Sequence, residues 1–187
     1  MIVRSMREDD LGEVAMVHTN AFPRQRHSKA WLSCTLKAAP RTLCFVIEQG
    51  HQIQGYIIWA QKSGFRPEAV VELEQIAIDP SQQNRGLGQL LIEQSLQQVK
   101  EQLGSVGSSI KLVLVSTRAD NHAQSIYRKV LGLKSRQLLA IFSRVMKCIW
   151  WLEMFIINKK ANKVALLFSK TPLHKKGPLR RCHKLKE

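Results

Sequence analysis

Apolar residues along this chain change their period several times, and each change marks an element. Ile2 to Met6 reads as a short first strand, and Glu8-Asp9-Asp10 then supplies the acidic residues that suit a helix start. Leu11, Val14, Ala15, His18 and Phe22 recur at helical spacing and predict an amphipathic helix that Pro23 ends, with His18 packed at the core edge rather than acting as a base. A second helix is expected from a Ser28 cap, with Trp31, Cys34, Thr35 and Ala38 at helical spacing and a stop at Pro40. Thr42 to Glu48 and Ile53 to Ala60 flank Gln49-Gly50-His51-Gln52, which predicts an antiparallel hairpin. After the loop Ser63 to Pro67, Val70 to Ile78 reads as a buried fourth strand ending at Asp79-Pro80. Ile92, Leu96, Val99 and Leu103 form a helical stripe, closed by Gly104 to Ser109. Ile110 to Val115 is a continuous apolar run, as expected of a strand buried on both faces and parallel to the fourth through a right-handed crossover. Asn121 to Val130 predicts a last helix that ends near Gly132.

Between the fourth strand and the long helix stands Gln82-Gln83-Asn84-Arg85-Gly86-Leu87-Gly88-Gln89. Two glycines separated by one residue let the backbone pass close to a ligand, and the free amides of a helix start suit a pyrophosphate. Gly86-Leu87-Gly88 has neither the third glycine of the dinucleotide fingerprint nor the Gly-Lys-Ser/Thr of a nucleoside-triphosphate loop. Ile76-Ala77-Ile78-Asp79-Pro80 followed by Gln83-Asn84-Arg85-Gly86-Leu87-Gly88 resembles the acetyl-coenzyme A motif of the GNAT superfamily of N-acetyltransferases, usually written Gln/Arg-x-x-Gly-x-Gly/Ala. The resemblance covers roughly the first two-thirds of the chain. It implies an α/β fold of the acyl-CoA N-acyltransferase kind: a mixed, mostly antiparallel sheet with a central parallel strand pair and flanking helices.

What the resemblance implies about chemistry follows residue by residue. Acetyl-CoA is the acetyl donor and a primary amine the acceptor, usually by direct attack on the thioester, so a group must first take the ammonium proton. Glu72 and Glu74 lie two apart on the strand before the loop and so share a face; either fits the base, directly or through a water, and a solvated face or an ion pair is the plainer reading. Backbone near Ile76, Ala77 and Ile78 is implied to pair with the pantetheine arm and stabilise the thioester oxygen. Asn84, Arg85, Gly86, Leu87, Gly88 and Gln89 form the pyrophosphate loop. Tyr127 matches the tyrosine that returns a proton to the departing thiolate, and Asn121 matches the asparagine that opens that helix, with one residue fewer between them than the commonest pattern. A tyrosine here could otherwise be a packed aromatic with a bonded hydroxyl.

Charge alters this picture only at one end. The chain of 187 residues carries a formal net charge of +15, yet residues 1–133 hold 15 Lys/Arg against 12 Asp/Glu, whereas residues 134–187 hold 14 against 2. A single GNAT core over 1–133 and an atypical basic tail over 134–187 are therefore expected. Binding of nucleic acid or an anionic surface would fall to the tail, which lacks a recognition motif and so disfavours that reading. Cys34, Cys44, Cys148 and Cys182 share no metal-site or redox spacing and read as free thiols with no metal bound. No signal peptide is evident, and the apolar run Val145 to Ile157 contains Lys147 and Glu153 and is too short to span a membrane as a helix. A cytoplasmic protein is expected, with acetyl-CoA and an amine as partners and homodimerisation open.

The tail departs from the implied pattern, which calls for a sixth and seventh strand. Back-translated with free choice of synonyms and read one frame over, Ser135 to Glu153 can give a sequence resembling an ordinary ending of the family, which points to a frameshift near Lys134. The alternative is a genuine divergent tail in which Leu138 to Phe142 and Val164 to Phe168 replace those strands. A third possibility is an inactive remnant, which differs from an active enzyme only in turnover.

Overall fold

The computed structural model describes residues 1–118, 121, 123–131, 138–141 and 150–158. Among the described residues seven strands form one sheet in the order β1-β2-β3-β4-β5-β7-β6: β1 Ile2–Ser5, β2 Thr42–Gln49, β3 Gln52–Lys62, β4 Glu68–Ile78, β5 Ser109–Arg118, β6 Leu138–Ile141 and β7 Trp150–Asn158. The α-helices described beside them are α1 Leu11–Ala21, α2 Ser28–Lys37, α3 Leu87–Ser105 and α4 Gln124–Leu131. Among these strands β4 and β5 run parallel, and every other neighbouring pair is antiparallel. The expected mixed, mostly antiparallel sheet with a central parallel pair is what forms. No helix among the described residues is long and apolar enough to cross a membrane.

The sheet separates two apolar cores because alternate strand residues point to opposite faces. On one face α3 covers Phe45, Ile57, Trp59, Val71 and Leu73 with its own Leu91, Ile92, Val99 and Leu103. Trp59 and Ser95 are both fully buried there, and the indole Nε1 donates to Ser95 Oγ at 2.9 Å, so the ring's one polar group is satisfied. On the other face α1 and α2 cover Cys44, Val46, Tyr56, Ile58 and Ala77 with Leu11, Val14, Val17 and Leu32. Arg4 ties β1 to β2 and to the turn that leads into α1: its guanidinium grips Asp10 in a two-pronged pair at 2.7 and 2.9 Å and reaches Glu48 at 2.7 Å. That pairing holds the Asp10 carboxyl below the usual carboxylate range.

Three expectations are corrected in detail. Ser28 is the first residue of α2 rather than its cap; His27, at φ 57°, precedes it, and the Ser28 hydroxyl instead meets His18 Nδ1 at 2.9 Å and Thr19 Oγ1 at 3.0 Å. The buried stripe of α2 is Leu32 and Thr35, leaving Cys34 exposed and Trp31 45% exposed. The apolar run of β5 buries Val113 and Val115 on the α3 face only, while Leu112 and Leu114 on the opposite face stay half-buried. In the tail, a strand forms at Leu138–Ile141, within the expected segment, and a second at Trp150–Asn158, which pairs with β5; Val164 to Phe168 lies outside the described residues.

Candidate active site

The site grows from a mismatch between β4 and its two neighbours. Against β3, β4 pairs down to Gly55 opposite Ile78, but with a register shift between Ile58 and Trp59, whose partners are Gln75 and Leu73. Glu74 is the residue left over, so it occupies a bulge that bends the strand. Against β5, pairing runs from Glu68 opposite Ser109 only as far as Leu73 opposite Val115. Beyond that point β5 continues to Arg118 alongside β7, and β4 continues to Ile78 alongside β3. The two parallel strands therefore part at the bulge, and the β5-side N–H and C=O groups of β4 from Glu74 onward have no backbone partner among the described residues. Such groups are strong donors and acceptors that seek a partner.

The bulge also shifts which residues face which core. Ahead of it Ala69, Val71 and Leu73 point to the α3 side, and after it Ile76 and Ile78 do. Gln75 and Ala77 then face α1 and α2: Ala77 joins that core, and Gln75 Oε1 accepts from the Tyr56 hydroxyl at 2.8 Å. Glu72 is partly buried and engaged, with Lys62 Nζ 2.7 Å from Oε2 and Ser116 Oγ donating to Oε1 at 3.2 Å. Glu74 is exposed and makes no ion pair with the described residues. Its charge is nonetheless felt beneath the strand: burial, and secondly Glu74, push the Cys44 thiol up to about 12.

Past Ile78 the chain turns tightly. Asp79 Oδ1 accepts from both the backbone N–H of Ser81, at 2.9 Å, and its hydroxyl, at 2.6 Å, while Asn20 of α1 donates to Oδ2 at 3.1 Å. These bonds hold the Asp79 carboxyl below the usual range, the Ser81 hydroxyl contributing most. Asn84, at φ 61°, and Gly86, at φ 78°, both take left-handed backbone before α3 begins at Leu87. Gly86 supplies no side-chain cap, so the amides of Leu87, Gly88 and Gln89 in the first turn of α3 have no acceptor among the described residues. A Cβ placed on Gly88 would sit 3.9 Å from both Ile78 Cγ1 and Ile126 Cδ1. The end of β4, the start of α3 and α4 thus meet at one point. The loop and strand residues Ile76, Ala77, Ile78, Asn84, Arg85, Gly86, Leu87, Gly88 and Gln89 form a continuous border to the split, with Asn84, Arg85 and Gly86 exposed. Left-handed turn, free amides and unpaired strand together suit an extended ligand ending in a pyrophosphate.

On α4, Tyr127 is buried against the α3-face core, and burial pushes its hydroxyl up to about 12. Asn121 is exposed, and its side chain is occupied within the β5–α4 turn: Nδ2 donates to Thr117 Oγ1 at 2.8 Å and Oδ1 accepts from the Ala123 N–H at 2.9 Å. Among the described residues no three His, Cys, Asp or Glu side chains are grouped to hold a metal ion. Sequence reasoning passed over Asp79 as a turn anchor, although a strand ending in Asp-Pro-Ser carries that signal. It passed over Lys62, Ser116, Tyr56 and Gln75 because each reaches its partner across strands that are distant in sequence.

The geometry has counterparts. The ribosomal-protein-S18-alanine N-acetyltransferase from Escherichia coli superposes with a TM-score of 0.64 at 19% identity, over 89% of this chain and 99% of that one. The ribosomal-protein-alanine N-acetyltransferase from Brucella melitensis gives 0.64 at 14% identity, over 84% and 99%. NAA60 of Arabidopsis thaliana in complex with acetyl-CoA gives 0.63 at 14% identity, over 86% and 99%. At these identities the likeness establishes the fold. No curated protein matches the chain by sequence. The model of the Acetyltransferase (GNAT) family matches residues 9–133, which include the glycine turn, the split between the parallel strands and Tyr127. The chain belongs to the GNAT family of acetyltransferases.

Proposed function

We propose that this chain transfers the acetyl group of acetyl-CoA to a primary amine, on a small molecule or a protein, by direct attack. The observation that carries the reading is the parting of β4 from β5 after Leu73 and Val115, beside the uncapped start of α3. The family acts with acetyl-CoA, and the split offers that molecule both an unpaired strand for its arm and free amides for its pyrophosphate. In this reading the backbone of Ile76, Ala77 and Ile78 orients the thioester and donates to its oxygen as charge develops there. Leu87, Gly88 and Gln89 bind phosphate oxygens, with Asn84, Arg85 and Gly86 shaping the turn.

Glu74 takes the ammonium proton. It stands at the bulge where the strands part, on the α1 and α2 side, and its carboxylate is not already engaged. Glu72 serves to hold Lys62 and Ser116, and through Ser116 it fixes the last paired turn of the split. Tyr127 stays protonated across the working pH range, because burial has raised it, and it supplies a proton to the thiolate that leaves. Asn121 positions α4 by closing the turn that leads into it.

The deciding experiment is the thermal unfolding of the full chain with and without acetyl-CoA. At about a hundred times its dissociation constant the ligand should add roughly 2.7 kcal/mol of stability and raise Tm. A cooperative transition that does not move would remove the cofactor assignment.

A further inference from the structure

The segment from Val14 to Ile47 contains no Asp or Glu, yet it carries Arg24, Arg26, Lys29, Lys37 and Arg41. The rest of the chain up to Leu133 is balanced the other way, with ten Lys/Arg against twelve Asp/Glu. All five cations are exposed, and none forms an ion pair with the described residues. The excess is therefore local, uncompensated and turned outward.

Its place in the fold gives it a purpose. Gln25 Oε1 accepts from Gln75 Nε2 at 3.4 Å, so the turn between α1 and α2 lies against β4 at the residue next to Glu74. Arg24 and Arg26 flank that contact in sequence, and Lys29 follows in the first turn of α2. The turn stands on the same side of the sheet as Glu74, the side from which an amine must approach if the donor occupies the split.

We propose that this cationic turn selects an acidic peptide as acceptor, one whose amino terminus is followed closely by Asp or Glu side chains. The inference rests on the acetyltransfer reading of the same site. An amine arrives in water as an ammonium ion, which a mouth flanked by unpaired arginines repels; a polyamine is repelled more strongly. Carboxylates just behind the amine reverse that sign, steer the encounter and fix its register. The same positive field disfavours the ammonium form once the amine is seated, which helps the proton leave toward Glu74. A peptide fits better than a single amino acid because the cations are spread from Arg24 to Arg41, with α2 between them; ten residues of helix span about 15 Å.

The test compares two labelled peptides, Ser-Asp-Glu-Glu and Ser-Lys-Arg-Lys at the amino end, binding to the full chain loaded with CoA, together with their acetylation when acetyl-CoA is supplied. The acidic peptide should bind and react about tenfold better at low salt, with a gap that closes as salt rises. The fourteen Lys/Arg of the tail also attract anions, so the decisive comparison is the double variant Arg24→Glu, Arg26→Glu, which leaves the tail unchanged and should abolish or invert the preference. A preference that survives this variant, or one for the basic peptide, overturns the proposal. So does free glutamate acetylated as well as the acidic peptide, or a single-stranded oligonucleotide whose binding falls as much in the variant as the peptide's does. Stabilisation by acetyl-CoA is read separately. Its absence overturns the acetyltransfer reading and this inference together, whereas stabilisation without acidic preference overturns this inference alone.

Discussion

Lys62 Nζ lies 2.7 Å from Glu72 Oε2, while Glu74, two residues further along the same strand, has no cation within reach among the described residues. Two carboxylates that look equivalent in sequence thus differ in their partners, and in the proposed mechanism they do different work. Glu74→Gln should lower kcat/KM by roughly 10²-fold or more and leave Tm nearly unchanged, because it removes the proton acceptor of the proposed mechanism and no bonded partner among the described residues. Glu72→Gln should leave kcat/KM within a few-fold and cost about 1 kcal/mol or less, as expected of a partly exposed pair. Steady-state kinetics across pH checks both. The Glu74→Gln rate should recover as pH rises and the amine deprotonates unaided; loss in Glu72→Gln alone would exchange the roles.

Tyr127→Phe keeps the buried ring and removes only the hydroxyl. If Tyr127 is the proton donor proposed above, the expected result is a drop in kcat of roughly 10²-fold with little change in acetyl-CoA affinity, since a proton donor acts in the transition state. A folded-state value near 12, above the unfolded value of about 10, also means that the folded chain holds this proton more tightly. Its contribution to stability is complete below pH 10 and is lost as pH rises toward 12. Tyr127→Phe should therefore flatten that alkaline decline in Tm, although Tyr56, raised still further by burial, keeps part of it.

Gly55 has no room for a side chain. A Cβ there would overlap Ile78 Cδ1 and lie 2.6 Å from the carbonyl oxygen of Ala77. Gly55→Ala should cost about 1–3 kcal/mol and, by displacing Ala77 and Ile78, weaken acetyl-CoA binding measured by calorimetry. Gly12, inside α1 with open space where a methyl group would go, is the contrast. Gly12→Ala should stabilise by about 0.5–1 kcal/mol and leave binding alone.

His18 is 1% exposed, and its Nε2 has no hydrogen-bond partner among the described residues. Burial holds the imidazole below the ordinary histidine range, with the Gln25 side chain opposing in part. The folded chain then binds fewer protons here than the unfolded one. The resulting stability is full above the unfolded value of 6.5 and is lost as pH falls through the lower folded value. Tm followed from about pH 7.5 to about pH 5 should fall, and His18→Gln should make that limb shallower.

What the sequence disclosed about the site was the part written locally. The helix start at Leu87, the left-handed Gly86 and the strand ahead of them depend on residues within about a turn of one another, so their pattern survives in one dimension. The bulge at Glu74 does not, because it is a count of two residues against one on a strand some fifteen positions earlier. Equal spacing from Glu72 predicted a shared face, and both carboxylates do stand on the α1 and α2 side; what the spacing does not disclose is that the strands part beside Glu74 and that Lys62, contributed by β3, engages Glu72. The exposed face of α2 was misread for a related reason: Trp31 and Leu32 are neighbours, and only the packing of α1 decides that Leu32 goes inward. The strand Trp150–Asn158 was hidden among lysines and two adjacent tryptophans, and its partner β5 lies some forty residues back.

Beyond Leu73, β4 is an edge strand that happens to lie in the middle of a sheet. Exposed edges invite other chains to add on, and proteins ordinarily blunt them with charge, bulges or a covering element. This one has the bulge, at Glu74, and a helix that begins at its far end, where Ile78 approaches Gly88. A polypeptide laid along it would run into the start of α3. A thinner, flexible chain with amide groups of its own could instead pair with the strand and end at the helix amides, completing the sheet each time it binds and reopening it each time it leaves.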